Sequence, residues 1–362
     1  ADAHGAPLGE DEVRAAKEDY GWDPDKTFYV PDEVLKFKEA MIAKGKGLEE
    51  EWNEKLKVYT ETFPDLAKQF YMMQNCELPE DWESILPTFP ADAKGLATRE
   101  SNNKILNPIA DKIPWFMGGS ADLGPSTKTY IKEATSFNRE DYGGRNLHFG
   151  VREHAMGAII NGMSLSKIRP YGATFFVFSD YVRPAIRLSS LMKQPAIYVF
   201  THDSIGVGED GPTHQPVEHL AALRAMPDLD VIRPSDANEL SVMWKYIMKL
   251  KDRPVALVLS RQAMPTIDRS KYASADGALK GAYVLIESEG TPDVILIGTG
   301  SEVQLCLDAY DQLTNEGIKA RVVSMPCCSL YQSQEKDYQK SVLPDSVQAR
   351  VIVEAGSTYG WH

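Results

Sequence analysis

Cysteine is scarce, with four in 362 residues: Cys76, Cys306, Cys327 and Cys328, none in a C-x-x-C spacing. That pattern excludes a disulfide framework and a cysteine zinc cluster, and it points to a reducing compartment. No apolar run approaches the roughly 20 residues of a membrane-crossing helix, so no membrane partner is expected. Ala1 to Gly5 show neither a basic stretch nor an apolar one behind it, so no secretory signal is visible, and the first residue is not Met. Positive charge is in deficit: 39 Lys and Arg stand against 52 Asp and Glu, a net charge of −13. Such a surface repels phosphate backbones, which argues against nucleic acid. It leaves room for a small phosphorylated ligand held by a few local cations. There is no internal repeat and no low-complexity tract.

What is present is ordinary globular material, 43% hydrophobic and 25% charged, and the length suggests two or three compact units. The first ninety residues read as charged, amphipathic helices. A short acidic helix is expected over Asp11–Tyr20, and another after Pro31 with Val34, Phe37, Met41 and Ile42 on one stripe. Trp52, Leu56 and Tyr59 continue the pattern, with Gly45 and Gly47 marking a break. From about Arg99 the rhythm becomes short β-rich runs alternating with helices. Strands are expected at Phe116–Asp122, Arg169–Phe176, Ala196–His202, Val231–Pro234 and Pro254–Ser260. Helices are expected at Val151–Leu165, Tyr181–Lys193, Gln215–Ala225 and Asn238–Leu250. A second α/β unit begins near Tyr283, with strands at Val294–Gly298, Ala320–Ser324 and Ala349–Glu354 and a helix at Glu302–Asn315. The fold class is therefore α/β, with doubly wound, mostly parallel sheets. In such sheets ligands gather beyond the C-terminal ends of the strands.

The densest chemical signal lies there. Thr201 to Gln215 packs His202 and His214, the carboxylates of Asp203, Glu209 and Asp210, and three glycines into the segment after a strand. The bland alternative is a solvated loop. A zinc site is the sharper competitor, but no H-E-x-x-H spacing and no nearby cysteine supports it. Gly118 to Ser126 is a second strand followed by a glycine-rich turn, able to offer backbone N–H groups and the Ser126 hydroxyl to an anion. Glu153 opens a helix, where a carboxylate is ordinarily a dipole partner. Beside Phe175, Phe176, Phe178 and Tyr181 it is alternatively an acid whose pKa is raised by desolvation. Gly298-Thr-Gly-Ser-Glu-Val303 imitates a dinucleotide fingerprint but lacks its third glycine, so a tight strand-to-helix turn is expected and NAD is rejected. Arg99 and Arg261 are candidate phosphate forks.

Together these segments resemble the transketolase family along nearly the whole chain and in the expected order. The stretches that carry the resemblance are His4–Gly9, Ala97–Arg99, Gly118–Leu123, His148–Glu153, Tyr198–Asp203, Gly208–Val217 and Leu259–Gln262. The resemblance implies a transferase moving a two-carbon ketol unit from a ketose phosphate to an aldose phosphate with thiamine diphosphate. It implies catalytic roles for Glu153, His214 and His4. Phe175, Phe178, Tyr181 and Asp122, with Glu153, would contact the cofactor. Arg99, Ser126, His202, Asp210, His214 and Arg261 would contact sugar phosphates. It further implies a homodimer with its site at the subunit interface, and a cytoplasmic or plastid-stromal location. The family's Mg²⁺ or Ca²⁺ is bound with the diphosphate through a GDG…N motif that this sequence lacks, so no metal ligand is assigned here. The expectation is a chain without its N-terminal domain and its extreme C-terminus. Residues 1–90 would be the end of the diphosphate domain and a connector, 91–272 the pyrimidine-binding domain, and 273–362 an incomplete C-terminal domain. Two other readings stay open: a non-catalytic dimeric fragment, and another thiamine enzyme such as deoxyxylulose-phosphate synthase.

Overall fold

A computed structural model describes residues 4–361 and divides into two compact units, one ending at Phe70 and one beginning at Tyr71. The first unit is helical. Helix α1 (Glu10–Asp19) has Glu10, Asp11 and Glu12 in its first turn, where carboxylates meet the positive end of the helix dipole. Helix α2 (Asp32–Thr62) starts directly after Pro31 and runs 31 residues without interruption. The break expected at Gly45 and Gly47 does not occur. Each glycine costs about 1 kcal/mol in a helix interior, while Lys, Glu, Leu and Ala around them propagate a helix already nucleated. Helix α3 (Pro64–Gln74) follows.

The second unit is built on two sheets. Its elements begin with β1 (Asp92–Ala97), α4 (Thr98–Lys112), β2 (Phe116–Ser120), the single turn α5 (Gly124–Thr127) and β3 (Asn146–His148). They continue with α6 (Glu153–Leu165), β4 (Arg169–Phe175), α7 (Ser179–Leu191), β5 (Ile197–Thr201) and α8 (His219–Arg224). Next come β6 (Asp230–Ile232), α9 (Ala237–Lys249), β7 (Val255–Leu259) and β8 (Ala263–Thr266). The six-stranded sheet has the order β3-β2-β4-β5-β7-β6, with every pair parallel. The chain leaves β2 to one side for β3 and returns to the other for β4. The crevice beyond these strand ends is thus the switch point where such sheets take ligands. Strands β4, β5 and β7 are buried along their whole length, as apolar runs covered on both faces must be.

Helices α6, α7 and α8 cover one face through Met156, Ile160, Val182, Ile186 and Leu220. Helices α4 and α9 cover the other through Ile105, Ile109, Leu240 and Trp244. Helix α4 lies where the sequence reading, β-rich runs alternating with helices, assigned no element. Asn102, Asn103, Asn107 and Pro108 hide its propensity, and burial of Ile105, Leu106 and Ile109 overrides them. The α8 helix begins at His219 rather than Gln215, because Pro212–His214 makes a separate 3-10 turn.

The second sheet follows β9 (Tyr283–Ile286), β10 (Val294–Gly298), α10 (Glu302–Asn315), β11 (Ala320–Ser324), α11 (Cys328–Gln332), α12 (Lys336–Val342) and β12 (Arg350–Val353). Its order is β12-β10-β11-β9, parallel except for the edge strand β9. A short antiparallel pair joins β1 to β8. One hydrophobic cluster runs from Ile105 and Trp244 to Tyr283, Leu296 and Cys306, so the two sheets share a core. Among the described residues no helix is long and apolar enough to cross a membrane.

A polar clamp also joins the sheets. Arg233, 1% exposed just after β6, donates to Asp203 beyond β5, to Glu302 at the start of α10, and to Thr299 and Ser301. Gly300 has φ +53°, and a Cβ there would stand 2.7 Å from the Arg233 guanidinium. The glycine-rich turn after β10 is therefore shaped around an arginine. Arg233→Ala would leave Asp203 and Glu302 buried without a counter-charge, at a cost of roughly 3–5 kcal/mol. Urea unfolding of the variant should show that loss, whereas a midpoint unchanged from wild type would contradict the clamp.

Candidate active site

The C-terminal edge of the six-stranded sheet gathers the polar side chains. Strand β2 ends at Ser120 and delivers Asp122; β3 leads into Gly150–Glu153; β4 ends at Phe175 and turns through Phe178 into α7. Strand β5 delivers His202, and β7 delivers Arg261. Gly119 lets β2 and β3 approach, since a Cβ on it would lie 1.7 Å from the Leu147 carbonyl oxygen. Asp122 and His202 both have left-handed backbone, at φ +59° and +61°. Non-glycine residues held there carry strain of about 1–3 kcal/mol, a feature that clusters at functional sites.

The His202 ring is buried against the Phe175 ring, with centroids 3.7 Å apart, and its Nδ1 lies 2.9 Å from the Thr201 hydroxyl. Phe175 and Phe178 lie parallel at 6.0 Å, and His214 stands edge-on to both at 6.1 and 5.5 Å. Tyr181 continues this aromatic row at 6.2 Å from Phe178 and is 64% exposed. Its outer ring face is open.

Two guanidinium groups share the other side. Arg99, in the first turn of α4, donates to the Ser126 backbone oxygen at 2.9 Å, and its Nε is buried without a partner. The Ser126 contact thus uses the carbonyl rather than the hydroxyl expected to meet an anion. Burial, then the charge of Arg261, pushes the Arg99 pKa below its ordinary value, and Glu100 and Asp210 oppose that shift. Among the described residues Arg261 reaches only Glu209, at 3.5 Å, and that carboxylate is largely solvated. Two cations are therefore held close with little to neutralise them.

The same pair acts on His202. Burial first, then Arg99, Arg261 and His214, lower its pKa to about 3. His202 and Asp210 approach only to 4.0 Å, so the contact is a neutral imidazole at the limit of ion-pair distance. Glu153, the first residue of α6, is 8% exposed, and its carboxyl makes no hydrogen bond or ion pair among the described residues. Of the other expected residues, Asp122 is exposed beyond β2, and His4 lies in the first unit, exposed within a short turn. The Glu153 carboxylate oxygens keep some solvent contact, so an uncommitted carboxyl at the sheet edge and a partly open aromatic row are available to the aminopyrimidine half of thiamine diphosphate. Asp203 was read as part of a polar loop, yet it is 2% exposed and committed to Arg233. Its partner lies 30 residues away at the end of a different strand, and no local spacing signals that.

His202 is expected to stay neutral from pH 8 down to pH 5. Its folded pKa lies below the unfolded value near 6.5, so the unfolded chain binds more protons across that interval. Its contribution to stability is present above that value and is lost as pH falls toward 3. An NMR titration of the His202 imidazole should show no midpoint between pH 5 and 8, and Arg261→Ala should raise its pKa. A wild-type midpoint near 6 would overturn the electrostatic reading.

Three family models match the chain: "Transketolase, thiamine diphosphate binding domain" over residues 1–79, "Transketolase, pyrimidine binding domain" over 94–266, and "Transketolase-like TK C-terminal domain" over 281–362. A protein named transketolase from Halalkalibacterium halodurans is 51% identical over 360 residues, which is 99% of this chain and 54% of that protein. The crystal structure of a Pichia stipitis transketolase complex with sedoheptulose 7-phosphate superposes with a TM-score of 0.92 at 40% identity, covering 98% of this chain and 53% of that one. A structure described as a split gene transketolase, an inactive β4 tetramer, superposes with a TM-score of 0.59 at 28% identity, covering 74% of this chain and 82% of that one. The chain spans about half the length of the curated relatives it matches.

Proposed function

Because the chain belongs to the transketolase family, we propose that it supplies the pyrimidine-binding and sugar-phosphate-binding half of a ketol-transfer site. The reaction moves a two-carbon unit from a ketose phosphate such as xylulose 5-phosphate to an aldose phosphate such as ribose 5-phosphate or erythrose 4-phosphate. It would serve the pentose phosphate pathway or the Calvin cycle, in the cytoplasm or the plastid stroma. The observation that carries this reading is the pairing of Arg99 and Arg261 beside a neutral imidazole. Two like charges held together with only loosely placed carboxylates among the described residues suit a dianion, and paired guanidinium forks suit a phosphate. His202 then contributes a hydrogen bond without adding charge.

Bound thiamine diphosphate supplies the carbanion-stabilising chemistry of the transfer. Phe178 and Tyr181 would stack on its aminopyrimidine, and Phe175 backs that platform. Glu153 would share a proton with a nitrogen of that ring; its largely buried position and its lack of a partner among the described residues support the role. Asp122, exposed at the β2 end, would meet the cofactor from the neighbouring strand. On the substrate side, Asp210 would read a hydroxyl, His214 would exchange a proton with the donor sugar's hydroxyls, and Ser126 would line the phosphate end through Arg99. His4 is assigned to the reacting carbonyl by the resemblance alone. A Mg²⁺ or Ca²⁺ ion would be held by residues outside this chain.

The whole protein would be a homodimer. Exposed apolar side chains on the outer faces of α6 and α7, among them Ile159, Leu188 and Leu191, support that reading. The description of the split-gene relative as inactive supports the further reading that a chain of this extent does not turn over alone.

In the full-length protein, Glu153→Gln should abolish ketol transfer from xylulose 5-phosphate while circular dichroism and the melting temperature stay near wild type; retained turnover would reject the assignment. Arg261→Ala should raise KM for phosphorylated sugars about 10–100-fold, because a charge-assisted hydrogen bond contributes about 1.5–3 kcal/mol. The KM for non-phosphorylated ketoses should hardly move. An equal rise for both sugars would remove Arg261 from the phosphate site.

A further inference from the structure

The starts of α7 and α8 bring together three side chains that neither the sheet-edge site nor the hydrophobic core employs. His219 is 4% exposed, yet neither of its ring nitrogens makes a hydrogen bond among the described residues. Leaving such a group unpaired costs about 1–3 kcal/mol. Asp180 Oδ2 stands 3.2 Å from Nε2, and Glu218 Oε2 stands 3.9 Å from Nδ1. One ligand atom from each of the three residues lies within 4.8 Å of the others. The carboxylates are 53% and 69% exposed, so the cluster opens to solvent on one side. On the other, the Phe176 ring lies 5.7 Å from the imidazole and is itself fully buried.

The geometry at Nε2 separates two explanations. A hydrogen bond places the acceptor oxygen along the nitrogen's in-plane axis. A shared cation sits on that axis itself and leaves the oxygen to one side. The Asp180 oxygen is close enough for a hydrogen bond but off that axis. Bonds of about 2.0–2.2 Å around a tetrahedral ion separate neighbouring ligand atoms by about 3.3 Å, close to the Nε2–Oδ2 distance. Glu218, on the Nδ1 side and 69% exposed, offers the third ligand oxygen within 4.8 Å of the other two ligand atoms.

We propose that Asp180, Glu218 and His219 form a binding site for a divalent transition cation of the Zn²⁺ class, with water filling the remaining position. One imidazole and two carboxylates suit such an ion, whereas Ca²⁺ and Mg²⁺ require six or more oxygens. The ion would tie the first turn of α7, which carries Tyr181, to the end of the segment that carries Asp210 and His214.

The test is calorimetric titration of the full-length protein with Zn²⁺, without added thiamine diphosphate or Mg²⁺, paired with the absorption spectrum of Co²⁺-loaded protein. Wild type should show a saturable site and tetrahedral Co²⁺ bands. The double variant Asp180→Asn, Glu218→Gln changes only exposed, isosteric groups and should keep its fold. It should lose the bands and bind Zn²⁺ more weakly by at least the 10–100-fold that second-shell changes already cost. His219→Gln should behave alike. Zn²⁺ affinity unchanged in the double variant, or no Zn²⁺ binding and no tetrahedral bands in wild type, overturns the proposal. Neither readout depends on ketol transfer, so failure here leaves the proposed function untouched.

Discussion

The ion cluster at Arg233 fixes the geometry on which the rest of the second unit depends. Burial opposes its charge, but Asp203 and Glu302 on either side outweigh that and hold it firmly ionised. The cluster joins the end of β6, the residue after His202, and the turn between β10 and α10. Its outer layer continues this logic: Glu354 accepts from both terminal nitrogens of Arg224, from Thr299 and from the Trp361 indole. A second bundle repeats it, with Arg269 on Asp236, and Tyr283 and Ser324 on Glu239. Buried ion pairs add little net stability over an apolar core of equal shape, but they tolerate only one arrangement of their partners. The orientation of the two sheets and the placement of His202 therefore answer to the same few charges.

The same local charge balance shows how an acidic protein can hold two guanidinium groups close together. The net charge is −13, and its long-range field disfavours anions. Over a few ångströms the balance reverses. Arg99 and Arg261 interact with each other, with Glu100, Glu209 and Asp210 as the nearby carboxylates among the described residues, and burial strengthens each local interaction. His202 yields its proton to these neighbours rather than adding a third charge. Selectivity then rests on placement, because the surrounding surface contributes nothing favourable.

The parallel sheets were legible because their strands are buried on both faces. Runs such as Ile197–Thr201 and Val255–Leu259 have no periodic polar residue to confuse them with helix. The α10 helix and β11 strand fall on the expected residues for the same reason. Helix α4 was hidden because its asparagines and Pro108 argue locally against what packing enforces. The single long α2 was hidden because two glycines read as punctuation where cooperativity absorbs them. Candidate site residues were legible where chemistry sits in one continuous segment, as at Thr201 to Gln215. Arg233 was not, since its partners Asp203, Thr299 and Glu302 are gathered from three strand ends. Asp180 and His219 escaped for the same reason, lying on two helices with no spacing to relate them.

What distinguishes the sheet edge from the core is how completely its polar groups are used. Arg169, Arg224 and Arg269 also leave Nε buried and unpartnered, but both terminal nitrogens of each are bonded within the chain. Arg99 commits a single terminal nitrogen, to one carbonyl oxygen. Glu153 has no hydrogen-bond or ion-pair partner among the described residues and its oxygens keep solvent contact, whereas the buried carboxylates Asp236 and Glu239 are engaged by several donors each. A folded chain bears the cost of an unsatisfied buried group only where something else supplies the partner. Arg99 and Glu153, opposite in charge, thus both keep polar atoms uncommitted within the described residues.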